Sequence, residues 1–363
     1  MKESLVYISH IAAPHQVKLC YELQKHMDAT FLFYENLGQR AAWWEMDLGE
    51  KCKVLSSVYF KKRRKYITFS HLSVLRKVDP TVVMIGGFSI PANYLAYQWA
   101  RWKRRKTIVF TERSRDSKGN LRKRNLSWRI LRYLYRNVDM VMVSAEDIIP
   151  QFRDEFRFGD KVVLSQYASD IDEYFNHKIR IKKQAYTYLF ANRLIVIYNP
   201  LGVIDIFSKI CKQYPQSRLL MNAVGTLRSA CEDKIATLKL ERNVHFLDNI
   251  TSWNELHKEY AKSDILFFPA TFSNGNFTIV EAMASGMGIV ISDQILGYGN
   301  YITDGENGFK CSPTEDQFLE SIFKYIDHPG LFIEHATINR KKIKHLSVEN
   351  TAQLYNELLS QLH

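Results

Sequence analysis

The sequence predicts an α/β protein of two Rossmann-like domains, each built on a parallel sheet. Three observations lead there. The 363 residues exceed what one ordinary core organises, and chains of this length divide into domains of roughly 150–200 residues. Short apolar runs alternate with longer amphipathic ones, which is the βαβ pattern of buried parallel strands. The alternation also breaks at a polar, basic stretch, "FNHKIRIKKQ" (175–184), and then restarts.

In order, "SLVYIS" (4–9) reads as a strand, "PHQVKLCYELQKHM" (14–27) as a helix and "ATFLFYE" (29–35) as a strand. "TVVMIGG" (81–87), "KTIVFTE" (106–112) and "DMVMVSA" (139–145) continue as strands, separated by helical "IPANYLAYQWARWKRR" (90–105) and "NLSWRILRYLYRNV" (125–138). Past the linker the strands are "AYTYLFAN" (185–192), "SRLLMNAV" (217–224), "NVHFLD" (243–248), "DILFFPA" (264–270), "GIVISD" (288–293) and "GFKCS" (308–312). The expected domains are therefore 1–174, a linker 175–184, 185–346, and a C-terminal helix within 347–363 whose Ser347 and Glu349 suit an N-terminal cap.

Composition narrows the class. Apolar residues make up 46% and charged residues 24%, values of a globular chain rather than a disordered one. The five cysteines, Cys20, Cys52, Cys211, Cys231 and Cys311, are scattered without a CxxC pair, so neither a zinc site nor a disulfide framework is expected and a reducing cytoplasm fits. The first residues, "MKESLVYISHIAAPHQ", are too interrupted for a signal peptide. No run reaches the ~18 apolar residues of a spanning helix.

Charge is unevenly placed. Residues 1–180 hold 32 Lys and Arg against 19 Asp and Glu, and residues 181–363 hold 18 against 19, so the whole net charge of +12 sits in the first half. The excess lies in "KKRRK" (61–65), "RWKRRK" (101–106) and "RNLSWRILRYLYR" (124–136), interleaved with Trp102, Trp128, Tyr133 and Tyr135. Such a mixture suits an anionic lipid surface, where each basic side chain near the headgroups contributes about 1 kcal/mol. Nucleic acid is not expected as a partner, because no zinc finger, RNP-type motif or helix-turn-helix is present.

Chemistry concentrates in the second half. "SHIAAPHQ" after the first strand contains no glycine, so the dinucleotide fingerprint is absent, as is a Walker loop. "DILFFPATFSNGNFTIVEAMASG" runs strand, glycine-containing loop, helix, at the kind of strand end where open α/β sheets bind ligands. Thr278, Ile279 and Val280 are expected to open the helix with free N–H groups suited to phosphate. Glu281 is expected in its first turn, stabilised by the helix dipole and able to accept from a ribose diol. Ala284, Ser285 and Gly286 are small enough for close packing. Asp170 and Asp172 spell DxD, a metal-diphosphate pattern, but they stand beside the linker, and no metal is expected to be required.

These residues carry a resemblance. "YAKSDILFFPATFSNGNFTIVEAMASGMGIVISD" and "ITDGENGF" (302–309), with "LFANRLIVIYNPLGVIDIF" (189–207) upstream, resemble the donor domain of retaining GT-B glycosyltransferases of glycosyltransferase family 4. The likeness covers about residues 185–312, with weaker agreement at "GGFSIP" and "FTERS". It implies a GT-B fold whose two sheets face an interdomain cleft, with donor binding by the second domain and acceptor binding by the first. Arg193 matches the family's diphosphate-binding arginine, and Glu281 the second acid of its E-x7-E motif. Two departures stand out: the first acid falls on Ser273, and the usual lysine falls on Tyr198.

Asn274, Gly275, Asn276 and Phe277 are then expected to present backbone N–H groups to the donor, with Ser273 and Asn276 adding side-chain hydrogen bonds. His10, His15 and Glu112 follow predicted strand ends and are candidates to bind the acceptor or polarise its hydroxyl. The sequence is accordingly expected to encode a retaining hexosyltransferase. It would move a sugar from a UDP-linked donor to a hydroxyl of a lipid-linked surface glycan, working in the cytoplasm, peripheral on the inner face of the cytoplasmic membrane. Transfer to a soluble acceptor, or a non-catalytic sugar-binding subunit, is the alternative.

Overall fold

The computed structural model describes residues 3–37, 40, 42–60, 65–112, 126–179, 185–273 and 277–362. The strands are β1 (Ser4–Ile11), β2 (Asp28–Glu35), β3 (Cys52–Val54), β4 (Val58–Phe60), β5 (Lys65–Ile67), β6 (Val82–Gly86), β7 (Lys106–Thr111), β8 (Met140–Val143) and β9 (Val162–Leu164), then β10 (Thr187–Phe190), β11 (Arg218–Met221), β12 (Val244–Phe246), β13 (Ile265–Phe268), β14 (Gly288–Ser292) and β15 (Phe309–Cys311). The helices are α1 (Pro14–Leu23), α2 (Ser70–Val78), α3 (Pro91–Trp102), α4 (Leu126–Leu134), α5 (Asp172–Phe175), α6 (Pro200–Gln213), α7 (Arg228–Thr237), α8 (Leu256–Lys262), α9 (Phe277–Ser285), α10 (Glu315–Asp327), α11 (Leu331–Ile343) and α12 (Val348–Ser360). They form two compact units, Met1–Asp170 with Leu346–His363, and Ile171–His345.

In the first unit a seven-stranded parallel sheet runs β3-β2-β1-β6-β7-β8-β9, and β4 and β5 form a separate antiparallel pair. Successive side chains of a strand point to opposite faces, and here both faces are covered. Val6, Ile8, Val83, Ile85, Val109 and Val141 join one core with Ala92, Ala96 and Tyr97 of α3. Leu5, Tyr7, Phe31, Phe33, Met84 and Met142 join the other with Val17 and Cys20 of α1 and Val348, Ala352, Tyr355 and Leu359 of α12. That double cover is why these strands read as continuous apolar runs. The Ser347 hydroxyl caps α12, accepting from the Asn350 N–H at 3.2 Å.

The aromatic residues read as lipid-facing divide. Trp102 and Tyr133 are exposed, at 74% and 64%. Trp128 instead stacks on Phe156 with ring centroids 4.0 Å apart, and Tyr135 is fully buried. Trp128, Leu131 and Tyr135 stand at i, i+3 and i+7, one helical face turned to the core. Among the described residues no helix is long and apolar enough to cross a membrane.

The second unit is a six-stranded parallel sheet, β12-β11-β10-β13-β14-β15. Its chain order grows outward from β10 in one direction and from β13 in the other. The topological switch point therefore lies between β10 and β13, and ligands of open α/β sheets bind outside the carboxyl ends of strands flanking such a point. The first unit has its own switch point between β1 and β6.

Candidate active site

In the second unit, the segment after β10 is Ala191-Asn192-Arg193-Leu194-Ile195. It is pinned on several sides. Asn222 Nδ2 donates to Ala191 O at 2.9 Å, Leu194 N to Val224 O at 2.8 Å, and Leu227 N to Leu194 O at 2.9 Å. Gly225, at φ 154°, lets the chain come this close, since a Cβ there would stand 2.3 Å from Leu194 O. Arg193 projects from this fixed segment. Among the described residues its guanidinium has no hydrogen-bond or ion-pair partner. The nearby cation Arg228 is by contrast committed, bonding Asp248 at 2.9 and 3.0 Å and Glu232 at 2.7 Å.

Tyr198 ends a short turn. Its ring packs edge-on against Phe268 of β13 at 5.4 Å, so the family's lysine position is here filled by packing. Asn199 follows in the left-handed region and caps α6 by accepting from Gly202 N. Thr271 N donates to Ile197 O at 2.9 Å, tying the turn to the segment after β13. Ser273 there is buried and held by its backbone: it bridges Ile295, and its carbonyl accepts from Leu296 N at 2.9 Å. Asn274, Gly275 and Asn276 lie outside the described residues.

The described part of α9 opens at Phe277, whose ring meets Tyr298 at 5.5 Å. Thr278 Oγ1 donates to Asn192 Oδ1 at 3.3 Å, joining the two segments that flank the switch point. Glu281 corrects an expectation. It stands beyond the first turn, so the free N–H groups at the helix start do not hold its carboxylate. The Tyr260 hydroxyl of α8 donates to it instead, and both side chains are buried. Burial, then the Glu281 charge, push the Tyr260 phenol well above its ordinary pKa, so it remains the donor. At the other end Arg340 closes α9, donating to Ala284 O at 2.8 Å and Ser285 O at 3.2 Å. A cation there complements the helix C-terminus, and Gly286, at φ 75°, turns the chain away.

The first-unit candidates gather at strand ends. His10, at the end of β1, is exposed. His15, in the first turn of α1, is 8% exposed and meets Tyr167 edge-on at 5.8 Å. Burial lowers its pKa to about 4 against the opposing pull of Asp170, so its imidazole is neutral at pH 7. Glu112, just past β7, is exposed and accepts from Tyr167 Oη at 2.5 Å. Asp170 of the DxD pattern pairs with Lys18 at 2.7 Å, and Asp172 opens α5. Tyr260, Tyr167 and Asn192 are the partners that sequence reading missed. Asn192 stands beside Arg193 at a strand end and was within reach of that reading, whereas the two tyrosines acquire their partners only through tertiary contacts.

Fold and site define an α/β protein of two Rossmann-like halves, with Arg193 at the strand ends of the second and without a side-chain partner among the described residues. Residues 171–344 match the family model for glycosyl transferases group 1, which spans nearly the whole second unit. The second unit is thus similar to the glycosyl transferases group 1 over almost its whole length. It is 23% identical over 174 residues to the poly(glycerol-phosphate) alpha-glucosyltransferase of Bacillus subtilis, covering 48% of this chain and 25% of that one. It is 20% identical over 201 residues to the alpha-monoglucosyldiacylglycerol synthase of Acholeplasma laidlawii, covering 54% of this chain and 50% of that one. The chain thus spans half or less of the length of these curated relatives. Among solved structures, the Anabaena HepE protein in complex with UDP superposes with a TM-score of 0.74 at 16% identity, covering 99% of this chain and 100% of that one. That likeness establishes the shared fold.

Proposed function

We propose that the protein is a retaining hexosyltransferase that transfers a sugar from a UDP-sugar to a hydroxyl of a lipid-linked surface glycan. The observation that carries the reading is Arg193, a rigidly mounted cation without a partner among the described residues, at the switch point of a group 1 domain. Arg193 and the N–H groups at the start of α9 stabilise the charge that develops on the leaving diphosphate. The leaving phosphate in turn helps deprotonate the incoming hydroxyl on the same face, which gives retention. Glu281 accepts from the ribose while Tyr260 holds it, and Ser273, Phe277 and Thr278 border the donor. No metal ion takes part.

The acceptor falls to the first unit. Glu112, oriented by Tyr167, accepts a hydrogen bond from the acceptor, and His10 and neutral His15 stand ready to polarise its hydroxyl. UDP as the nucleotide is supported by the HepE complex, and a lipid-linked acceptor by the diacylglycerol-acting relative and the basic first half. The site is assigned to the cytoplasmic face of the membrane, where such donors and an anionic leaflet meet.

The test is a screen of UDP-sugars with isolated lipid-linked acceptors, scoring UDP release and, by NMR, the anomeric configuration of the product. Transfer with retention that survives EDTA, and that drops at least tenfold in Arg193→Ala, is expected. Inversion, or chelator loss rescued by Mn²⁺, would overturn the mechanism. Turnover only on soluble sugars would move the acceptor assignment, and binding without turnover would identify a sugar-binding subunit.

A further inference from the structure

We propose that Asn192 is a donor-binding residue whose side-chain amide nitrogen hydrogen-bonds the diphosphate of the nucleotide sugar. The inference rests on the reading of the second unit as the donor domain and adds a residue to it.

Asn192 is 4% exposed. Its Oδ1 is engaged by the Thr278 hydroxyl at 3.3 Å, which directs the side chain at the start of α9. Its Nδ2 is buried with no hydrogen-bond partner among the described residues. A primary amide carries two N–H donors, and a buried donor without a partner is rare in native proteins. Asn192 cannot easily turn elsewhere to find one. Ala191, before it, is held by Asn222, and Leu194, after it, by Val224 and Leu227. The orphan amide thus sits on a pinned segment, one residue before Arg193, whose guanidinium likewise has no partner among the described residues, and is tied by its Oδ1 to the first turn of α9. All three features donate, so an acceptor-rich anion completes them.

The same placement accounts for Tyr198. Where a lysine would supply a second cation, the tyrosine ring packs on Phe268. The Asn192 amide restores a second side-chain donor beside Arg193 without restoring the charge. The site then holds a diphosphate by one ion pair and one neutral hydrogen bond.

Calorimetric titration of UDP and of uridine into the full chain tests this, with Asn192→Asp and Asn192→Ala as variants. Asn192→Asp keeps the shape and the acceptor for Thr278 but replaces both donors with an anionic oxygen. UDP affinity should fall at least tenfold in Asn192→Asp and by less in Asn192→Ala, while uridine affinity stays unchanged. If buried charge unfolds the aspartate variant, the alanine variant decides. UDP bound equally by wild type and both folded variants overturns the inference and leaves the donor domain standing. Equal loss of UDP and uridine also overturns it, since Asn192 would then only shape its loop. A wild-type protein that binds none of UDP, GDP and ADP overturns the donor reading and this inference together.

Discussion

Replacing Tyr260 by Phe removes one oxygen atom and retains the ring, including its edge-on contact with Tyr174 at 5.2 Å. The lost atom is the donor to the Glu281 carboxylate. Tyr260 is 1% and Glu281 5% exposed, so water does not readily replace the bond. A hydrogen bond to a charged group is worth about 1.5–3 kcal/mol. For a unit of this size each kcal/mol moves the melting temperature by about 2–4 °C, so the second unit should melt about 3–12 °C lower. Scanning calorimetry on Tyr260→Phe, Glu281→Gln and the double variant makes a double-mutant cycle. The coupling should be about 1–3 kcal/mol, within the range of directly bonded pairs. A coupling of zero, or a Tyr260→Phe unit melting within 1 °C of wild type, would refute the claim that this bond holds Glu281.

Two further outcomes follow from features away from that bond. Neutralising Arg101, Lys103 and Arg104 around exposed Trp102 should remove up to about 3 kcal/mol of attraction to anionic vesicles, on the order of a hundredfold in binding. Vesicle co-sedimentation should also weaken with salt, as the Debye length shortens from ~8 Å; unchanged sedimentation of the variant would make this face ordinary surface. His71 is fully buried with no partner on either ring nitrogen among the described residues, and burial lowers its pKa to about 4. The unfolded chain, with a histidine pKa of about 6.5, therefore takes the proton first, and stability falls as pH drops from about 6.5 to about 4, by about 2 kcal/mol at pH 5. His71→Leu should lose correspondingly less stability between pH 7 and pH 5 in denaturant titrations, and an equal loss would contradict the assignment.

The strands that position the sites were legible because burial on both faces makes them uninterrupted apolar runs; "ILFF" of β13 and "VVMIG" of β6 have few other readings. The three-residue strands β3, β4, β5 and β9 were not, although β12 and β15, equally short and also at sheet edges, were. The strand-end positions of Arg193 and of the α9 segment were legible from local sequence. The environment of Glu281 was not, because its partner Tyr260 lies 21 positions upstream on another helix. Trp128 misled for a different reason. Its basic neighbours suggested surface, while its spacing to Leu131 and Tyr135 already described a core-facing stripe.

The C-terminal helix α12 seals one face of the first unit's sheet, although the whole second unit separates it in sequence from that sheet. On a ribosome, the half that emerges first thus waits longest for its last piece. The second unit is contiguous and can complete itself while Leu5, Tyr7 and Phe31 still lack the cover of Tyr355 and Leu359. The unit translated first is thus the last whose chain is complete, and a nonsense codon ahead of α12 would spare the unit beside it in sequence and expose the apolar face of the one translated hundreds of residues earlier.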